Sequence, residues 1–280
     1  MKKLKVMAAA VCALALAACM LAGCSSNNAS NDKKDAAATS SDKTTLIVGF
    51  DQSYPPYGFV GNDGNFTGFD LDLAAEVASS NGWDIQLEPI DWDAKDTLLN
   101  SGAITCIWNG FTMEGRENDY TFSDPYMLNE QVIVVKAGSD ISDFAGLSGK
   151  TVMTQVDSAA LDVLEGDQAE VAATFKGGAA QTIGDYNNAF MQLDSGMIDA
   201  VACDLSIAQY QIAANPDKYV QLSTPLSTEH YAVGFKKGDT ELAQKVTETL
   251  KQLDADGTVK QLCEKYASYG ISYDNWVLGK

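Results

Sequence analysis

The sequence predicts an α/β protein whose folded part forms two lobes. Strand-like and helix-like runs alternate along the whole body, which is typical of α/β lobes with largely parallel sheets. The chain has 280 residues, and because single cores rarely grow past roughly 250 to 300 residues, two modest lobes are favoured over one large core. Its composition, 46% hydrophobic and 20% charged, is that of a chain that buries a core.

The elements of the body are predicted in chain order from hydrophobic periodicity. The first helix shows the clearest pattern, with Phe69, Leu73 and Val77 at helical spacing before Asn81-Gly82 stops it. Helices are also expected over residues 240–255 and 258–266. Strands are predicted over residues 46–50, 85–90, 104–108, 131–136, 151–154, 171–175 and 231–235.

Two segments of the body repeat one pattern. Residues 99–110 and 193–204 each read as a helix end, a glycine cap, an apolar strand and a polar turn. Ligands of open parallel sheets bind beyond the carboxyl ends of the strands. Two such units in two lobes would therefore aim Gly110 and Asp204 at a shared cleft, although a chance match of a common connection would give the same pattern.

The charge of the chain excludes several functions. Acidic residues number 38 and basic residues 19, a formal charge of −19, so the field of the protein repels nucleic acid and we expect no such partner. The single histidine, His230, excludes a multi-histidine metal site, and a Ser/His/Asp triad would have to use it. We expect neither a metal nor a cofactor.

The N-terminus has the pattern of a signal peptide. A lysine-rich start precedes an apolar run that ends in Leu21-Ala22-Gly23-Cys24. This ending resembles the bacterial lipobox, in which the cysteine is acylated and becomes the new N-terminus. Cys24 is favoured because polar residues follow it at once, while Cys19 ends an upstream match. An uncleaved transmembrane anchor is a further alternative, although the run is barely long enough to span a bilayer.

The organisation that follows has four parts. Residues 1–23 are the lipoprotein signal peptide, and residues 24–44 form a flexible tether, because small polar residues cannot offset their ordering entropy. Lobe one comprises residues 45–131 and 230–280, and lobe two comprises residues 135–226. Of the six cysteines, Cys106, Cys203 and Cys263 remain in the body. They cannot all pair and are expected to be small buried hydrophobes.

The segment from Asn109 to Arg116, with Phe122-Ser123-Asp124-Pro125-Tyr126 after it, contains a strand end, a Gly-x-Thr turn and an arginine. It resembles the first-lobe signature of bacterial polar amino-acid ABC transporter substrate-binding lipoproteins, the extracellular solute-binding protein family 3. Further matches follow in order over residues 45–269. The resemblance implies a two-lobe periplasmic-binding-protein-like fold of type II, in which each lobe has a mixed, mostly parallel sheet flanked by helices and two strand crossings form the hinge.

The resemblance also implies a binding site with two poles, one that binds the ligand's carboxylate and one that binds its ammonium. Arg116 matches the family's carboxylate-binding arginine, and the backbone N–H groups around Ser158 and Ala159 match its anion nest. Asp204 matches the ammonium-binding aspartate, with the Gly110 carbonyl and the Thr112 hydroxyl completing the shell. Tyr54, Trp92 and Phe111 are expected to be cleft walls, and Asp51 a selector of the ligand side chain, although aromatic residues are more often part of a core.

The function that the resemblance implies is capture of a polar amino acid outside the membrane and its delivery to an ABC permease and its ATPase. The expected protein is a monomer held at the membrane by its N-terminal lipid, and its ligand carries a side-chain donor for Asp51. One alternative is an enzyme on the same scaffold, such as a cyclohexadienyl-type dehydratase, which needs a general acid or base. We expect no carboxylate in the cleft beyond Asp51 and Asp204. Another alternative is an amino-acid chemosensory receptor.

The choice of Cys24 as the acylated residue is testable by membrane fractionation. Replacing Cys24 with alanine should leave the protein unprocessed or released into the medium, because the thiol that carries the lipid is lost. The matched control, Cys19→Ala, should leave membrane association unchanged. The opposite pattern would move the cleavage site to Cys19.

Overall fold

The computed structural model describes residues 44–280. The predicted signal peptide, Cys24 and nearly all of the predicted tether lie outside the described residues. No helix in the described part is long and apolar enough to cross a bilayer.

The strands and helices of the described part follow one another in a mixed order. The strands are β1 Thr45–Phe50, β2 Ser53–Tyr54, β3 Gly58–Val60, β4 Phe66–Thr67, β5 Asp84–Pro89, β6 Cys106–Ile107, β7 Tyr120–Phe122, β8 Met127–Lys136, β9 Val152–Gln155, β10 Gln181–Ile183, β11 Ala200–Asp204, β12 Tyr219–Gln221, β13 Ser227–Tyr231 and β14 Gly234–Lys236. The helices are α1 Phe69–Asn81, α2 Lys95–Ser101, α3 Ala159–Glu165, α4 Ala169–Ala172, α5 Tyr186–Ser195, α6 Leu205–Ala214, α7 Thr240–Ala255 and α8 Thr258–Lys265. Short 3-10 turns lie at Trp92–Ala94, Phe144–Leu147, Ala267–Tyr269 and Tyr273–Asn275.

Two sheets confirm the two-lobe α/β prediction. The first has the strand order β5-β1-β6-β14-β7, and the second β10-β9-β11-β8-β12 with β13 also paired to β8. The expected predominance of parallel pairing is not observed. Strands β5, β1 and β6 pair in parallel, as do β10, β9 and β11. The pairs of β14 with β6 and β7, and of β8 with β11, β12 and β13, are antiparallel.

The chain passes twice between the sheets. It leaves the first sheet after β7 and enters the second at Met127, and it returns from Tyr231 at the end of β13 to Gly234 at the start of β14. Strands β8 and β13 pair antiparallel from Met127 opposite Tyr231 to Gln131 opposite Ser227. The two crossings are therefore adjacent. The division of residues between the lobes stays a prediction.

Two predicted strands are wrong in type or continuity, and two others differ in length, since the strand predicted over 104–108 is only Cys106–Ile107 and the one predicted over 131–136 extends over Met127–Lys136. Residues 171–175 do not form a strand, since helix α4 occupies Ala169–Ala172. Val171 and Phe175 are apolar, but the alanines and Glu170 around them are good helix formers, and β10 instead occupies the sheet edge beside β9. The single strand predicted over residues 231–235 is two strands in different sheets, β13 and β14.

The repeated pattern is confirmed in both lobes. Helix α2 ends at Gly102 and α5 at Gly196, both in the left-handed conformation, which glycine adopts without a Cβ penalty. The strands that follow, β6 and β11, pair in parallel with β1 and β9. Their carboxyl ends deliver the Asn109-Gly110 turn and Asp204 to one pocket.

Buried apolar residues pack on both faces of the sheets. The largest cluster extends through both lobes and includes Trp108, Tyr126 and Tyr231, so the hinge region is itself part of a core. Cys106, Cys203 and Cys263 are free and buried, which confirms their structural role. Burial raises the pKa of the Cys106 and Cys203 thiols, as expected of inert cysteines.

Candidate ligand-binding site

A cavity of about 20 Å³ lies where residues from both lobes meet. This volume is far below the roughly 300 to 1,000 Å³ typical of small-molecule sites, so the two lobes lie tightly against one another around it. The structure brings eight of the ten predicted binding residues to its wall and adds Asn109 and Gln155. The lining residues are Tyr54, Trp92, Asn109, Gly110, Thr112, Arg116, Gln155, Ser158, Ala159 and Asp204.

A buried carboxylate accepts a hydrogen bond from the Asn109-Gly110 turn of the first lobe. Asp70, in the first turn of α1, accepts a hydrogen bond from the Gly110 N–H at 2.6 Å and from the Tyr126 hydroxyl at 2.8 Å. Gly110 has φ 57, and a Cβ there would lie 3.1 Å from the rings of Tyr231 and Tyr54. Only glycine combines this backbone conformation with so close an approach of two aromatic rings.

Asp70 is fully buried, and desolvation raises the pKa of its carboxyl to about 7, against the opposing effect of the Gly110 and Tyr126 hydrogen bonds. This aspartate therefore positions the turn, and its burial keeps it from any ligand. It lies within a segment that matches the family, but the sequence alone gives no sign that it pairs with Gly110, 40 residues away.

Arg116 lies at the pocket wall with its guanidinium already oriented. Its carbon Cζ lies 5.0 Å from the centre of the Phe111 ring, a favourable cation–π arrangement. One terminal nitrogen lies 2.7 Å from Oδ2 of Asp162 and 3.4 Å from the Asp157 carbonyl oxygen, both in the second sheet's lobe. The side chain is 11% exposed, so a planar pair of donors is held beside the cavity.

The second-lobe wall is formed by the start of α3. Ser158 caps this helix by accepting a hydrogen bond from the Leu161 N–H at 3.2 Å. The residue before it, Asp157, has a left-handed conformation with φ 54. Its carboxylate lies 3.3 Å from Lys95 Nζ, and its carbonyl oxygen accepts a hydrogen bond from Trp92 Nε1 at 3.1 Å. Trp92 thus joins the lobes as well as lining the pocket.

Asp204 is the acceptor of the site and carries a full set of partners. Its Oδ1 accepts hydrogen bonds from Asn129 Nδ2 at 2.9 Å, Gln131 Nε2 at 2.7 Å and the Tyr231 hydroxyl at 2.9 Å. None of these three donors contacts Oδ2, and the Tyr54 hydroxyl is a further hydrogen-bond partner of the carboxyl. Burial raises the pKa of the carboxyl, while hydrogen bonds from tyrosines and Gln131 oppose the shift.

Two predicted binding residues lie outside the pocket. Phe111 is fully buried among Trp92, Tyr120 and Phe122, because a large apolar ring gains most from complete burial. Its ring packs against the Arg116 guanidinium. Asp51 lines a neighbouring pocket, and its Oδ2 accepts a hydrogen bond from Gln155 Nε2 at 2.7 Å.

A buried carboxylate that the sequence did not predict, Glu229, lies beside the site. Its Oε1 accepts hydrogen bonds from the Thr112 hydroxyl at 2.7 Å and from Asn129 and Gln131 at 2.8 Å. Glu229 does not line the pocket, so it does not contradict the expectation that no carboxylate beyond Asp51 and Asp204 lies in the cleft. A partial signal was present, since Asn129 and Gln131, two residues apart on strand β8, share one face and so present two amides together.

Comparison with known proteins gives a consistent result. The family model for bacterial extracellular solute-binding proteins, family 3, matches residues 46–269. The L-cystine-binding protein TcyJ of Escherichia coli K12 is 28% identical over 228 residues, which cover 80% of this chain and 83% of TcyJ.

Solved structures agree in fold. An ABC uptake transporter substrate-binding protein from Streptococcus pneumoniae with bound histidine is 32% identical with a TM-score of 0.78, and the match covers 82% of this chain and 94% of that one. The ancestral amino acid-binding protein AncCDT-1, a precursor of cyclohexadienyl dehydratase, is 30% identical with a TM-score of 0.71, covering 79% and 95%. With the family signature, the two-lobe fold and the match over nearly all described residues in agreement, this chain belongs to the bacterial extracellular solute-binding proteins, family 3.

Proposed function

We propose that this protein is the substrate-binding component of an ABC importer and captures one polar amino acid between its lobes. The observation that carries the proposal is the pairing of opposite poles across one small pocket. Arg116 offers planar donors from one lobe, and Asp204 offers a buried acceptor from the other. A free amino acid carries one group for each pole, because its carboxylate suits a guanidinium and its ammonium suits a carboxylate.

Capture by closure follows from the position of the poles. A ligand that touches both lobes interacts more favourably with the closed arrangement than with an open one and so shifts the population toward it. Direct contacts between lobes add to this preference, including Arg116 with Asp162 and Lys95 with Asp157. Each has an exposed carboxylate partner, and such pairs contribute about 0 to 1 kcal/mol. These two ion pairs therefore add little to closure.

The proposed partners are an ABC permease and its ATPase, with the protein held at the outer side of the cell membrane by a lipid on Cys24. Support comes from the family, whose members are extracellular and bind solutes, and from the N-terminal sequence pattern. The protein is proposed to act as a monomer that presents its closed form to the permease.

An enzymatic function is the second candidate, because Glu229 is a buried carboxylate and AncCDT-1 is a precursor of an enzyme. Burial and the nearby charge of Asp204 raise the pKa of Glu229 to about 7, a value suited to general acid catalysis. However, Glu229 lies behind Thr112 and is 3% exposed. A general acid must come within hydrogen-bond reach of its substrate, so binding is favoured.

Selectivity is proposed to depend on Gln155, held in place by Asp51. The Gln155 amide nitrogen donates to Asp51 Oδ2 at 2.7 Å and to the Gly184 carbonyl oxygen at 2.9 Å. Both amide hydrogens are thereby used, which leaves the Gln155 oxygen as an acceptor at the pocket wall. A ligand with a side-chain donor, such as a cationic or amide amino acid, would satisfy this oxygen, whereas leucine or valine would leave it unpaired.

The two poles are testable by calorimetry with amino acids and their analogues. Arg116→Ala and Asp204→Ala should each weaken amino-acid binding at least about 30-fold, because losing one partner of a desolvated charge pair costs roughly 2 to 5 kcal/mol. Arg116→Ala should also bind a decarboxylated ligand as well as wild type does, and Asp204→Ala a deaminated one.

The control for the poles is Asp162→Ala, which removes the exposed partner of Arg116 but no pocket residue. A surface pair contributes about 0 to 1 kcal/mol, so affinity should change less than about fivefold. Unchanged amino-acid affinity in Asp204→Ala would show that the assignment of the ammonium pole is wrong.

Selectivity is testable by a thermal-shift screen of the twenty amino acids with cystine and ornithine. Wild type should prefer ligands with a side-chain donor, and Asp51→Ala should lose this preference while keeping weaker general affinity, because the Gln155 amide is no longer fixed. The control Asp91→Ala removes an exposed carboxylate from the same neighbouring pocket and should keep the preference. Tighter binding of leucine or valine than of every cationic and amide amino acid would contradict the proposal.

A further inference from the structure

Two carboxylates lie side by side at the pocket, Asp204 on its wall and Glu229 behind it, and two amide groups bridge them. Asn129 Nδ2 donates to Asp204 Oδ1 and to Glu229 Oε1 at 2.9 and 2.8 Å. Gln131 Nε2 donates to the same two oxygens at 2.7 and 2.8 Å. Asp204 is 4% exposed and Glu229 3%. Strand β8 carries both amides between β11, which ends in Asp204, and β13, which carries Glu229.

No cationic side chain of the protein neutralises this pair within the described residues. Arg116, the cation of the pocket wall, donates to Asp162, to the Asp157 carbonyl oxygen and, at 3.5 Å, to the Thr112 carbonyl oxygen, and to neither carboxylate of the pair. His230 follows Glu229 on β13 and pairs with Glu114. Glu130 follows Asn129, the residue of β8 that lies opposite Glu229. The other titratable groups facing the pair are neutral at pH 7: Tyr54, Tyr57, Tyr186, Tyr231 and Cys203.

Two like charges in a desolvated site repel one another, and the amides are neutral donors that cannot balance both. A positive charge therefore stabilises the pair when both carboxyls are ionised. The ligand's α-ammonium can supply it from the pocket side, where Asp204 lies. In the ligand-free cleft a proton shared by the pair has the same effect.

We propose that Glu229 is a positioning residue of the ammonium pole and that, with Asp204, it holds one proton that is released to solvent when the ligand's ammonium enters. The inference rests on the amino-acid-binding function proposed above. The net charge of the pole is conserved, since the pair with a proton and the ionised pair with an ammonium each carry one negative charge. The ammonium keeps its own protons, and the displaced proton goes to the buffer.

Glu229 also fixes the role of Thr112. An ionised carboxylate only accepts hydrogen bonds, so the Thr112 hydroxyl must donate its hydrogen to Oε1, 2.7 Å away. Its oxygen then faces the pocket with lone pairs alone. Such an oxygen can accept a hydrogen bond from an ammonium but cannot donate one to a carboxylate. Glu229 thereby sets the direction in which an amino acid binds.

The direction of the pH dependence follows from the raised pKa values. Desolvation and the charge of Asp204 raise the pKa of Glu229 to about 7, and desolvation raises that of Asp204. Below pH 7 the pair is protonated and the proton must leave before the ammonium binds, so affinity falls as pH falls. Above pH 7 both carboxyls are ionised, no proton is released and affinity is constant.

The test is calorimetry from pH 5.5 to 8 on the tighter-binding of L-arginine and L-glutamine, whose side chains do not titrate in this range. Wild-type Kd should rise about tenfold per pH unit below pH 7. At pH 6.5, measurements in two buffers of different ionisation enthalpy should show release of most of one proton. Glu229→Gln should lose both effects and bind roughly tenfold more weakly at pH 8.

The matched control is Glu130→Gln, which removes a carboxylate from β8 one residue after Asn129, the residue opposite Glu229. This variant should keep the wild-type slope and proton release. In ligand-free protein, carboxyl NMR should show Glu229 titrating near pH 7, an outcome that does not depend on ligand identity. Equal slopes in Glu229→Gln and wild type, or no proton release by wild type, would overturn the inference. Failure of every amino acid to bind would instead overturn the proposed function.

Discussion

The buried carboxylate of Asp204 is the feature on which the rest of the site depends. A desolvated charge is tolerated only when hydrogen-bonded and paired, and three strands contribute to meeting that condition. Strand β11 carries the aspartate, β8 supplies Asn129 and Gln131, and β13 supplies Tyr231. Because β8 and β13 are also the strands next to the two crossings, the charge proposed to bind the ligand is hydrogen-bonded to the hinge strands.

Around this charge the two lobes meet through side chains from both of them. Gln155 is hydrogen-bonded to Asp51, and Asp162 to Arg116. Asp157 is hydrogen-bonded to both Lys95 and Trp92. These contacts place the ends of α3 and β9 against the first lobe. They also explain why a strained residue, Asp157, is retained at this position: its left-handed backbone directs the carbonyl to Trp92 and its carboxylate to Lys95.

The sequence predicted the two-lobe α/β fold, the repeated helix–glycine–strand units and eight pocket residues, because these depend on local patterns or on an ordered family signature. It did not predict Glu229, which lies 25 residues after Asp204 and reaches it only because β8 pairs with both β11 and β13. The helical state of residues 169–172 was missed because a short apolar run looks alike in a strand and a helix. Phe111 was placed in the pocket because an aromatic next to a binding turn has the same sequence pattern whether it faces a ligand or a core.

The central claim is that one amino acid spans the two lobes with its ammonium on Asp204 and its carboxylate on Arg116. A crystal structure of the protein with its tightest-binding amino acid tests this directly. The account predicts the α-nitrogen within hydrogen-bond distance of Asp204 Oδ2, the Thr112 hydroxyl and the Gly110 carbonyl, and the α-carboxylate paired with the Arg116 guanidinium. A ligand bound in the reverse direction, or in a different pocket, would contradict it.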